Sequence, residues 1–160
     1  MKPVRTRRRV LESLAKTKAL LAVKADNRIQ HHALSEAVLH QIQATWTALI
    51  RQVGDAHGLK PEGIHELHDL VEQLADRQLP SFEARKLQEL SDDPESWVSV
   101  FKAHIAKVGC PDEVADPLDS NQIPLTDTTG LEQLKNQRYG VWVDALSDLI
   151  TDFQNQFDES

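Results

Sequence analysis

The sequence predicts an all-α fold, an up-and-down helical bundle that forms one domain over residues 1–160. Aromatic residues make up only 5% of the chain, glycines number six, and β-branched alternation is scarce, which favours helices over sheet. A chain of 160 residues buries most of its apolar surface without disulfides or metal. Three long helices are expected at about 4–24, 28–54 and 130–157, with shorter helices at about 61–79, 82–90 and 94–108 packed across them.

The second long helix carries the most regular apolar stripe. Its inward positions follow helical spacing, which gives one wide apolar face that partner helices must cover. Asp26 or Asn27 is suited to cap its N-terminus, and Gly54 is suited to end it. The stripe consists of Leu34, Val38, Ile42, Trp46, Leu49 and Val53.

Proline and serine mark where the shorter helices begin. Pro61 suits the first position of one helix, Ser81 the cap of the next, and Asp93-Pro94 the start of the third, which Gly109 ends. Residues 109–128 hold three prolines and five carboxylates, so they form either a solvated connector or an acidic docking strap. The last helix presents a stripe of Leu131, Leu134, Trp142, Leu146, Leu149 and Phe153.

Cysteine use and hydropathy indicate a cytoplasmic protein. Cys110 is the only cysteine and has no intramolecular disulfide partner. The basic N-terminus is followed by a segment that Glu12, Lys16 and Lys18 interrupt, so it resembles neither a leader peptide nor a membrane span.

Positive charge is concentrated at the N-terminus of this acidic chain. Residues 1–28 contain nine Lys or Arg against two acidic residues, whereas the rest contains nine against 23. A basic first helix beside acidic neighbours is one interpretation, and contact with RNA or with an acidic protein is the other. No aromatic residue lies among the arginines to stack on bases, so nucleic acid is the weaker expectation. The patch consists of Arg5, Arg7, Arg8 and Arg9.

Histidines are the residues best suited to metal chemistry here. His31, His68 and His104 each fall on an apolar stripe, but His31 and His68 would lie about 25 Å apart along antiparallel helices. Satisfied core or rim histidines explain them best. A site formed by His68, His104 and Glu72 is the metal-binding alternative, and no cofactor is expected.

A polar pocket is a further hypothesis. Arg138 falls on the apolar stripe of the last helix, so it either extends past the apolar surface or pairs with a buried carboxylate. Counting along antiparallel helices places it level with Trp46 and His68. Tyr139 would complete this pocket by hydrogen bonding.

Arg51 and His57 have the spacing of a known nuclease signature. The segment RQVGDAH resembles the arginine and histidine motif of HEPN-type helical-bundle ribonucleases. That resemblance implies that Arg51 and His57 would act on the 2′-hydroxyl and phosphate of RNA. Gln52 and Gly54 depart from the family's pattern.

A second resemblance covers nearly the whole chain. The segments ALSEAVLHQIQATWTALI, DDPESWVSVF and YGVWVDALSDLITDFQNQF resemble a family of small helical proteins from gammaproteobacteria that is defined only as a domain of unknown function. The resemblance implies a bacterial helical bundle and transfers no active site.

Together these patterns predict a non-catalytic binding module. No nucleophile elbow, phosphate loop, CxxC pair or HExxH motif is present. The expected partner is another protein, with a homodimer formed through surplus apolar surface as one form of it. The alternative is an enzyme, either metal-assisted or HEPN-like and RNA-cleaving.

Overall fold

The computed structural model describes residues 4–110 and 129–159, with side chains in the last helix from residue 138 onward. These residues confirm the all-α fold with six α-helices and one 3₁₀ turn, Pro61–Gly63. The predicted connector, the residue 109–128 segment, lies outside the description beyond residue 110. The helices are α1 Val4–Leu21, α2 Arg28–Ala56, α3 Leu67–Asp76, α4 Phe82–Asp92, α5 Trp97–Ile105 and α6 Thr129–Glu159.

Helices α1 and α2 pack as an antiparallel pair joined by small hydroxyl side chains. Ser13 and Thr45 lie 2.7 Å apart between their oxygens, and the Thr17 hydroxyl donates to the Ser13 carbonyl at 2.8 Å. The Thr45 hydroxyl donates in turn to the Gln41 carbonyl at 2.7 Å. All three side chains are buried and hydrogen-bonded, so their polarity costs little and their small size lets the helices approach closely.

Helix α6 lies against both α1 and α2. At its C-terminus Asp158 accepts a hydrogen bond from Arg7 at 2.7 Å, and nearer its middle Ser147 accepts one from Lys18 at 3.1 Å, so α6 runs antiparallel to α1. In the core, the amide groups of Gln52 and Gln154 bond each other twice, at 2.8 and 2.7 Å. These contacts align α6 parallel to α2.

The short helices α3, α4 and α5 extend the core around the C-terminal half of α2. Helices α3 and α4 contact α2, α5 contacts α4, and α5 also contacts α6. Each contributes buried apolar side chains, including Leu70 of α3, Leu87 of α4 and Phe101 of α5. The core of α2 is therefore covered from several directions.

Two predicted caps are confirmed. The side chain of Asn27 accepts a hydrogen bond from the Gln30 N–H at 2.9 Å at the start of α2, and Ser81 accepts one from the Ala84 N–H at 3.1 Å at the start of α4. Each satisfies a backbone donor that has no partner inside its helix.

The predicted helix over 61–79 is divided. Pro61 begins only a 3₁₀ turn, and α3 starts at Leu67. The cause is Asp69, whose carboxylate accepts hydrogen bonds from the backbone N–H groups of His65 at 2.9 Å and Glu66 at 3.2 Å. Those bonds fix a new helix start, and the one from His65 lowers the pKa of Asp69.

The fifth helix also begins later than predicted. Asp93-Pro94 precedes a turn, and Ser96 caps α5 by accepting a hydrogen bond from the Ser99 N–H at 3.2 Å. The helix ends at Ile105, before Gly109.

Gly54 does not end α2, as the sequence predicted. The helix continues to Ala56, and Gly58 takes the positive φ of 79° that follows its end. Gly54 instead packs closely against a neighbour, because a Cβ atom there would overlap Cδ1 of the fully buried Ile64, and that side chain would have to shift.

Two glycine substitutions test this packing. Gly54→Ala is expected to lower the free energy of unfolding by about 1–2 kcal/mol, since displacing Ile64 costs more than the helix propensity gained. Gly140→Ala, inside α6 with nothing within 4 Å of the added Cβ, should raise it by about 0.5–1 kcal/mol. Urea denaturation measures both, and an equal gain from the two would contradict the packing role of Gly54.

The glutamine pair makes a second prediction. Gln52→Leu leaves the Gln154 amide buried without its partner and should cost about 1–3 kcal/mol of unfolding free energy. Replacing both glutamines by leucine should recover most of that loss, because no polar group then remains unpaired. Additive losses in the double variant would show that the pair is not a coupled unit.

Candidate functional site

The four arginines of the predicted basic patch have different surroundings. Arg7 is paired with Asp158 of α6. Arg5 and Arg8 are exposed on the outer side of α1, and Arg9 lines a cavity between α1 and α2. Helix α1 carries six Lys or Arg and one acidic residue, Glu12, so its exposed side is strongly positive.

The cavity between α1 and α2 brings together arginines that are far apart in sequence. Its volume is about 230 Å³. Arg9 belongs to the basic patch, whereas Arg51 belongs to the predicted nuclease signature. Their spacing in the sequence does not predict that they meet. The antiparallel packing of α1 on α2 brings both to the same cavity. The cavity is lined by Thr6, Arg9, Ala44, Thr47, Ala48 and Arg51.

Arg51 is held in place by the backbone. Its Nε atom donates to the carbonyl oxygen of Ile64 at 2.8 Å, and its side chain is half-buried. The nearby Asp55 carboxylate accepts a hydrogen bond from the Thr6 hydroxyl at 2.8 Å. Among the residues that the structure describes, neither Arg9 nor Arg51 forms an ion pair with a carboxylate. Two arginines therefore line one cavity, no carboxylate in the described part of the chain lines it, and the nearby Asp55 is bonded to the lining residue Thr6.

The structure separates His57 from Arg51. His57 caps the C-terminus of α2, and its Nε2 lies 3.8 Å from a carboxylate oxygen of Glu83 on α4. Arg51 instead bonds to Ile64 and lines a cavity that His57 does not line. The two residues of the HEPN-like spacing are thus not brought together around one cavity.

The residues of the predicted metal site also lie apart from one another. His68 and Glu72 lie 3.4 Å apart on α3, with 77% and 61% of their side chains exposed, so of the two alternatives, core or rim, the structure places His68 outside the core. A helix position near the edge of a stripe faces solvent when the neighbouring helix covers only the stripe's centre. His104 bonds instead to the Tyr139 hydroxyl at 3.1 Å. Within residues 4–110 and 138–159, no three His, Cys, Asp or Glu side chains are grouped as metal ligands.

Two members of the predicted polar pocket each pack against another aromatic ring. Trp46 packs edge-on against Trp97 at 6.0 Å between ring centroids, and Tyr139 stacks on Trp142 at 5.4 Å. Arg138 is exposed, as is His68, so the four predicted residues do not line one interior pocket. Of the two alternatives for Arg138, its exposure agrees with a side chain that extends past the apolar surface to solvent.

A larger cleft lies beside the α1–α2 turn. His31 turns inward as its stripe position predicted, and its buried Nε2 has no hydrogen-bond partner in the part of the chain that the structure describes. A second cavity of about 390 Å³ shares His31, Ser35 and Tyr139 with this cleft. The cleft has a volume of about 810 Å³ and is lined by residues 20–28 with His31, Leu34, Ser35, Val38 and Tyr139.

Tyr139 offers a direct test of burial at this cleft. Burial raises its pKa above the usual 10.0, Arg138 opposes the rise, and Glu36 adds to it. Since the chain has one tyrosine, ultraviolet absorbance of the phenolate reports this residue alone. The midpoint of the Tyr139 titration should lie above 10 in the folded protein and at about 10 in guanidinium.

The same shift sets the sign of the stability change. The unfolded chain loses the Tyr139 proton at lower pH than the folded chain, so the free energy of unfolding should fall as pH rises above about 10. Tryptophan fluorescence recorded during the titration shows whether the protein is still folded. Identical midpoints for the folded and unfolded chains would refute the burial of the hydroxyl.

Fold and cavity together define a class: a small all-helical domain with a cationic cavity between its first two helices. Over residues 5–160 the chain matches a family of unknown function, DUF6586, and it belongs to that family. This confirms the resemblance to a domain of unknown function. Comparisons with curated proteins and with solved structures gave no match. In the described residues, no helix is both long and apolar enough to cross a membrane.

Proposed function

We propose that this protein is a non-catalytic cytoplasmic binding module whose exposed basic α1 surface docks an acidic segment of another protein. The supporting observation is the separation of the arginines: Arg7 is paired with Asp158 of α6, whereas Arg5, Arg8 and Arg9 form no ion pair within the described residues. Unpaired positive charge on one side of an otherwise acidic molecule attracts an acidic partner and orients it.

A protein partner fits this surface better than a nucleic acid does. Binding of unpaired nucleotides relies on aromatic side chains that stack on bases. Trp46 packs against Trp97 of α5, and no aromatic residue in the described part of the chain lines the Arg9 and Arg51 cavity. Charge without stacking groups favours carboxylates or other anions displayed on a protein.

A second copy of the chain is one form that the partner takes. Asp144, Asp148 and Asp152 are exposed on α6 at intervals of four residues, which aligns them along one side of the helix. Such an acidic row complements the basic side of α1. This charge-based homodimer differs from the apolar one expected from the sequence, and the experiment below tests it together with the heterologous partner.

The experiment measures binding of a fluorescent Glu-rich peptide by anisotropy. Arg5→Glu with Arg8→Glu should weaken binding by about tenfold at low ionic strength, because two attractive charges become repulsive. The matched control is Arg85→Glu with Lys86→Glu on α4, two exposed sites with the same total charge change. That control should shift the affinity by less than about threefold, since those sites lie outside the docking surface.

Several outcomes would overturn the assignment. Absence of peptide binding, or equal weakening by both double variants, excludes a specific docking surface on α1. Tighter binding of a single-stranded RNA of matched length would transfer the surface to nucleic acid. Sedimentation of the protein alone shows self-association, and its loss in the α1 variant but not the α4 variant would identify a second copy as the partner.

A further inference from the structure

The cavity between α1 and α2 has the features of a site for one highly charged anionic group. The geometry points to a phosphoryl group, bound between Arg9 and Arg51 with the Thr47 hydroxyl, as the ligand of this cavity. This inference rests on the proposed function, since the phosphoryl group would be carried by a phosphorylated side chain of the docked protein.

The donors are preorganised. Guanidinium has five N–H groups, and the one on Arg51 Nε is fixed by the Ile64 carbonyl at 2.8 Å. That bond orients the planar group, while its four remaining N–H donors make no hydrogen bond within the residues that the structure describes. A ligand therefore meets an arginine that is already positioned, which lowers the entropy lost on binding.

The charge selects a dianion. Arg9 and Arg51 place two positive charges at one cavity, and the Asp55 carboxylate does not line it. Asp55 instead accepts a hydrogen bond from the Thr6 hydroxyl. A carboxylate would neutralise one of the two charges, whereas a phosphorylated serine carries about −1.5 to −2 at neutral pH and neutralises both.

The arrangement of donors agrees with a tetrahedral ligand. Arg9 approaches from α1, and Arg51 and Thr47 approach from α2 one helical turn apart. Three donor groups on two helices suit the three terminal oxygens of a phosphoryl group, whereas a planar carboxylate offers two. Arginine forks also bind phosphate oxygens in pairs.

The first experiment uses the whole chain and inorganic phosphate. A titration at constant ionic strength follows the Arg Nε–Hε signals by proton–nitrogen NMR, with chloride as the control anion. The Arg51 signal should shift and saturate with phosphate. Arg9→Met should weaken this binding by about tenfold, whereas Arg8→Met, an exposed neighbour outside the cavity, should change it by less than about twofold.

A second variant guards against loss of folding. Arg51→Lys keeps the positive charge but removes the fork and the bond to Ile64, so phosphate affinity should fall while the circular dichroism spectrum persists. Equal weakening by Arg8→Met and Arg9→Met, or an Arg51 signal that does not respond to phosphate, would overturn the site.

The peptide arms identify the source of the phosphoryl group. The Glu-rich peptide is compared with the same peptide carrying one phosphoserine, which should bind about tenfold more tightly to the natural chain. This gain should vanish in Arg9→Met and persist in Arg8→Met. Saturable phosphate binding without any gain from phosphoserine would overturn the phosphorylated partner and leave free phosphate as the ligand.

The two proposals fail in different ways. If the unmodified peptide binds α1 but phosphoserine adds nothing and phosphate does not bind, the cavity proposal is wrong and the docking surface stands. If phosphate binds at Arg9 and Arg51 but neither peptide binds, the protein-docking function is wrong and the anion site stands.

Discussion

Two glutamine side chains in the core set the alignment of the long helices. Gln52 of α2 and Gln154 of α6 satisfy each other's amide groups at 2.8 and 2.7 Å, away from water. A shift of α6 by one residue would leave both amides buried and unpaired, at a cost of about 1–3 kcal/mol each. Apolar contacts tolerate such a shift more easily, so the polar pair makes one alignment strongly preferred.

That alignment decides which charged residues remain available. In this alignment Asp158 of α6 pairs with Arg7, so one arginine of the patch is neutralised within the protein. Arg5 and Arg8 stay exposed, and Arg9 is left beside Arg51. The proposed binding surface thus consists of charges that packing within the described residues leaves unmatched, and the tertiary structure selects them rather than a sequence motif.

Individual contacts explain where the helix boundaries and the exposed residues differ from prediction. Glycine commonly ends helices, yet Gly54 lies inside α2, where Ile64 occupies the space that a side chain would need. Proline is common at the first position of a helix, yet α3 does not start at Pro61. The hydrogen bonds from the backbone to Asp69 place its start at Leu67. His68, expected in the core or at its rim, is exposed because only part of the α3 surface is covered. At Gly54 and His68 local preferences yield to packing between helices, whereas at Pro61 one local preference yields to another, the backbone bonds of Asp69.

The sequence by itself determined the all-α class, the three long helices, the caps at Asn27 and Ser81, and the basic character of α1, because these follow from local periodicity, capping chemistry and composition. It did not determine the pairing of Arg9 with Arg51 or the separation of Arg51 from His57. Those depend on how the helices are aligned, and the alignment of α1 with α2 is set by buried polar contacts such as Ser13 with Thr45, between residues distant in sequence. Spacing along one helix predicts which residues share its face, whereas only packing decides which face of another helix they meet.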